Sequence, residues 1–143
     1  MQIHLKRKDN AFHMEAIDEN KKTVDFDGSV KIGGNNNGVS PMQSLLMAMG
    51  GCSAIDVVMI LNKQKQELKD FEIIIDGERE EGKEPSLWKT IHSKFILKGN
   101  VEPEKAKRAV DLSINKYCSV AETLRRAGAA ITYEVWLNDT RAY

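Results

Sequence analysis

The sequence predicts an α+β fold, and three features carry that prediction. Short runs of alternating apolar residues fill the first part of the chain, and one long segment is apolar on every helical face. After it come two further alternating runs, a helical pattern and a last alternating run. With 143 residues the chain can bury a core as a single domain, residues 1–143, without covalent staples. Lys plus Arg (21) equals Asp plus Glu (21), and the two signs are interleaved, so no basic stripe awaits a nucleic acid. The opening MQIHLKRKDNAFHM lacks the apolar run and cleavage site of a signal peptide, so the expected location is cytoplasmic, without a membrane partner. Two cysteines do not make a disulfide framework, and His4, His13 and His92 lack ligand spacing; no metal is expected.

Ile3 and Leu5, then Phe12 and Met14, then Val24 and Phe26 alternate with polar residues, and Lys-Asp-Asn and Asp-Glu-Asn-Lys-Lys separate the runs. This predicts a three-stranded meander. Residues 28–38, GSVKIGGNNNG, have no periodicity and read as a flexible loop; without a P-loop Lys-Ser pair they do not read as a phosphate cradle. Residues 40–61, SPMQSLLMAMGGCSAIDVVMIL, follow. Ser40 can cap a helix and Pro41 suits its first turn. A helix apolar all round is expected to be buried all round, and Gly50, Gly51 and Asp56 make it a core helix rather than a membrane span. Glycine inside a helix costs about 1 kcal/mol against alanine, so Gly50-Gly51 implies close approach by a second helix, the favoured reading, or an open surface where a small ligand can touch the backbone. Residues 62–70 read as a polar helical exit. Residues 71–81 and 87–97 read as an antiparallel hairpin, residues 103–124 as a second helix opened by Pro103 and closed near Gly128, and residues 130–137 as a final strand.

Cys52 lies midway along the first helix and Cys118 in the run Lys116-Tyr117-Cys118-Ser119, where Asn115 can weaken the helix and let it kink or restart. SPMQSLLMAMGGCSAIDVV together with NKYCSVAETL resembles the OsmC/Ohr superfamily, and within it the YhfA-type branch. The resemblance covers nearly the whole chain and includes the run Glu78-Arg79-Glu80. It implies an OsmC-like fold of order βββ-α-ββ-α-β, with two central helices wrapped by curved antiparallel sheets. It implies an intertwined homodimer with active sites at the interface. It also implies a thiol peroxidase, in which Cys52 attacks an organic hydroperoxide and Cys118 resolves the sulfenic acid as a disulfide. No cofactor is implied beyond an external dithiol reductant. The peroxidase branches carry a glutamate after the helix-opening proline, and here that position is Met42.

A peroxidatic thiol must ionise, and burial opposes ionisation. Cys52 is too deep in its helix for that helix's own dipole to help, so a cation from another element is expected beside it, Arg7 or Arg79. Asp56, one turn beyond Cys52, is expected to bond a basic group or a backbone N–H. Met42 and Met49 are candidates to line an apolar substrate site. The alternative function is an OsmC-fold protein that binds or senses a small apolar or thiol-reactive ligand without peroxidase chemistry.

Overall fold

A computed structural model describes residues 1–143. The chain divides into two compact units, Met1–Leu45 and Leu46–Tyr143.

In the first unit β1 (His4–Arg7), β2 (Met14–Ile17) and β3 (Thr23–Phe26) form the expected antiparallel meander, with Leu5 opposite Ala16 and Met14 opposite Phe26. Aspartates close both turns. Asp9 accepts the Ala11 and His13 N–H groups, and Asp18 those of Asn20 and Lys22. The glycine-rich segment is not a free loop. It contains a short 3₁₀ turn, Val30–Ile32, and folds around the buried carboxylate of Asp27. That carboxylate accepts the backbone N–H of Gly28 (2.7 Å), Asn35 (3.1 Å) and Asn37 (2.9 Å). A Cβ at Gly34 would lie 1.9 Å from the Gly28 carbonyl oxygen, so this crossing admits only glycine.

The Asn37 N–H, with those of Asn35 and Gly28, holds the Asp27 carboxyl below its ordinary value. A depressed carboxylate stabilises the fold above its unfolded pKa of about 3.9, and the contribution fades as the pH falls through the lower folded value. Asp27→Ala is expected to speed amide exchange at Gly28, Asn35 and Asn37 by about tenfold or more at neutral pH, the scale of losing a charged acceptor.

Helix α1 (Pro41–Lys63) starts at the predicted proline, with the Ser40 carbonyl accepting from the Ser44 N–H at 3.0 Å. Met49, Ser53, Val57 and Leu61 recur every fourth residue and face the core of the second unit, where Val57 and Leu61 join Phe95, Leu97, Val110, Ile114 and Val135. Met47, Ile55 and Met59 on another face are exposed, Ile55 to 65%. Burial on every side is therefore not achieved within this chain, because an apolar wheel does not say whose atoms will cover it. The helix ends at Lys63, short of the helical exit expected through residue 70; its 23 residues are long and apolar enough to cross a membrane by length and composition, although one stripe is committed to the core.

Lys65, at φ 55°, turns the chain, and β4 (Glu67–Arg79) begins where a helical exit was expected. It pairs antiparallel with β5 (Trp88–Asn100), as predicted for the hairpin. Strand β6 (Ala130–Leu137) joins β5 in parallel, so this sheet is mixed rather than wholly antiparallel. A helical crossover between neighbouring strands requires that direction. A two-residue strand, β7 (Thr140–Arg141), closes the order β4-β5-β6-β7.

The second predicted helix is broken. Helix α2 (Pro103–Leu112) passes into a π turn, Ser113–Tyr117; Cys118 is extended (φ −68°, ψ 99°), and α3 (Ser119–Arg126) restarts from it. The restart near Asn115 was legible, and the thiol it carries is buried, at 2% exposure.

Candidate functional site

The extended backbone at Cys118 makes that residue the N-cap of α3, and its sulfur accepts the Ala121 N–H at 3.3 Å. This satisfies one of the free donors at a helix start. The Cys118 thiol in turn donates to the Met49 carbonyl of α1 at 3.8 Å. Cys52, one turn further along α1 and only partly buried, lies near enough to the Cys118 thiol and the Val120 backbone N–H for both to act on its ionisation. Two thiols 66 positions apart in sequence thus meet where α3 begins.

Burial is the main cause that pushes the Cys52 thiol above its ordinary value. The hydrogen bond to Cys118 adds to it, as do the negative charges of an ionised Cys118 and of Asp56, while the Val120 N–H pulls the other way. Within this chain the favourable group is a backbone donor at the positive end of another helix. Arg79 donates to the Ser86 carbonyl near the end of the β4–β5 hairpin. Arg7 is engaged by the carbonyls of Asn10 and Ala11 in the β1–β2 turn. Asp56 takes the hydroxyl of Ser113 (3.2 Å) as its partner, rather than a basic group or a backbone N–H. Met49 is buried in the second unit and offers the site its carbonyl; Met42 is half-buried in the first turn of α1. A Cβ at Gly50 would come within 3.0 Å of the Ile75 side chain of β4, and Gly51 has open space before it. The close approach is therefore to a strand and not to the second helix. No three His, Cys, Asp or Glu side chains converge on a metal-binding geometry.

Ser113, Val120 and Ala121 were missed in the sequence. Ser119-Val-Ala-Glu122 has helix-start spacing, with an acid in the first turn. That signal marks a new helix at Cys118, and with it the donors that face both sulfurs.

Residues 33–134 match the family of OsmC-like proteins. Protein YhfA of Escherichia coli strain K12 is 48% identical over 98 residues, which span 67% of this chain and 72% of YhfA. A hypothetical protein from Aquifex aeolicus VF5 superposes with a TM-score of 0.78 at 31% identity, covering 96% of both chains. An organic hydroperoxide resistance protein OsmC from Legionella pneumophila shares the fold, with a TM-score of 0.70 at 15% identity over 95% of this chain and 97% of that one.

Proposed function

This chain belongs to the OsmC-like family, and on that premise we propose that it reduces organic hydroperoxides through a two-cysteine cycle in oxidative-stress defence. The observation that carries the reading is the juxtaposition of the two cysteines: Cys118 packs against the Met49 carbonyl of α1, one turn from Cys52, and each thiol lies close enough to act on the other. In the cycle the Cys52 thiolate attacks the outer oxygen of the hydroperoxide. An S–O bond forms, the O–O bond breaks, and the alcohol leaves after taking up a proton. Cys118 then attacks the sulfenic sulfur, the S–S bond forms and water leaves. An external dithiol gives two electrons and two protons to restore both thiols and is itself oxidised to a disulfide. The Val120 N–H at the start of α3 would stabilise the Cys52 anion. Consumption of cumene hydroperoxide with dithiothreitol as reductant tests the proposal. Turnover no faster than the uncatalysed reaction would overturn it.

We place the site at the interface of a homodimer. Met47, Ile55 and Met59 form an exposed apolar stripe on α1, and Gly51, next to Cys52, is open. Ile55→Glu is expected to halve the sedimenting mass, because a buried, unpaired charge costs several kcal/mol.

A second reading is that the protein binds or senses a small apolar or thiol-reactive ligand. Two observations favour it: Met42 stands where the peroxidase branches have glutamate, and Cys52 is shifted upward. An apolar hollow of about 410 Å³, bounded by Leu5, Phe12, Met14, Phe26 and Ile32 in the first unit, has the size of a small-ligand site. For either reading the partners are small molecules, and the compartment proposed is the cytoplasm.

A further inference from the structure

We infer that Asp56 and Ser113 are a positioning pair that sets Cys118 against Cys52; the inference deepens the two-cysteine reading and rests on it. Ser113 is fully buried, and its hydroxyl faces two acceptors on α1: the Asp56 carboxylate at 3.2 Å and the Ser53 carbonyl at 3.4 Å. The same residue supplies the carbonyl that accepts the Cys118 N–H at 2.8 Å, the bond that closes the π turn. One residue therefore carries both the anchor on α1 and the backbone tether of the resolving thiol.

Asp56 lies four residues beyond Cys52 on the same helix face, so anchor and attacking sulfur share one rigid element. Apolar packing between helices is non-directional and tolerates small slides. The single hydroxyl proton of Ser113, shared between a carboxylate and a carbonyl, is directional and fixes both the register and the rotation of the turn. The π turn begins at the clamp and closes back on it through the Cys118 N–H, and α3 restarts from the extended Cys118 with its first N–H groups toward the two sulfurs. Asp56 opposes ionisation of Cys52, so a role in activating that thiol is the wrong reading of its place. What it provides is a charged acceptor for the Ser113 hydroxyl, at 3.2 Å.

The pair is tested without hydroperoxide. The full-length protein is equilibrated with reduced and oxidised glutathione, and the fraction of Cys52–Cys118 disulfide is read by mass spectrometry. In this exchange the protein dithiol and one glutathione disulfide give the protein disulfide and two glutathione thiols. Asp56→Ala and Ser113→Ala are each expected to lower the equilibrium constant tenfold or more, and the double variant no further than either alone. Asp56→Asn, which keeps an acceptor oxygen and removes the charge, stays within threefold of wild type and is alkylated faster at Cys52 at neutral pH. A general loss of stability would not give that rescue. Should Asp56→Ala not fold, Ser113→Ala carries the same test by removing one hydroxyl. Alanine variants that match wild type, or an asparagine variant that falls as far as alanine, overturn the positioning role. A wild-type protein that forms no internal disulfide overturns the two-cysteine reading itself.

Discussion

Cys52→Ser is expected to bring hydroperoxide consumption down to the uncatalysed level, while Cys118→Ser leaves a single turnover. A serine hydroxyl at position 52 has no accessible anion at neutral pH, so no S–O or O–O exchange begins. With Cys118 replaced, Cys52 still attacks once, and the sulfenic acid then has no neighbour to condense with. Dimedone adds to it in proportion to the protein, and excess oxidant carries it on to sulfinic acid. Stopped-flow consumption of cumene hydroperoxide, with intact mass after one equivalent, separates the outcomes. Equal slow rates in wild type and both variants would leave the ligand-binding reading in place.

The second large effect is on pH dependence. Cys52 is pushed up by burial, then by Cys118 and Asp56, with Val120 alone working against them. The thiolate fraction then grows about tenfold per pH unit through the neutral range, and alkylation by iodoacetamide should rise in step without levelling below about pH 8.5, the value of a free thiol. An early plateau would mean that a second copy lends a cation across the interface. Stability moves the opposite way. A thiol whose folded value exceeds its unfolded one stabilises the fold below the unfolded value, and that gain is lost as the pH rises through the folded value. Melting temperature should thus decline above about pH 8.5, and Cys52→Ser should flatten the decline.

How much of this was legible depends on where each determinant is written. The β1–β3 meander and the β4–β5 hairpin are local patterns, and alternation with turn residues between is enough to read them. The parallel joining of β6 to β5 is a non-local choice, made by the crossover and not by the strand's own residues. The restart near Cys118 has a local signal in Asn115 and Ser119-Val-Ala-Glu122, but the contact of Ser113 with Asp56, 57 positions away, has none. Both cysteines were readable as a pair. Their environment was not, because the donors that face them are main-chain N–H groups of Val120 and Ala121, and a main-chain donor leaves no side-chain signature. Residues 28–38 were misread for a similar reason: one aspartate organises them from outside the segment.

Because Cys118 is the cap of α3, oxidation of the pair would reach into secondary structure. Once the disulfide forms, the sulfur has no proton to give the Met49 carbonyl, and its bond to Cys52 competes with the Ala121 N–H. Residues 119–126 would then fray from their first turn, exposing Arg125 and Arg126 to trypsin. Limited proteolysis could report oxidation without any substrate.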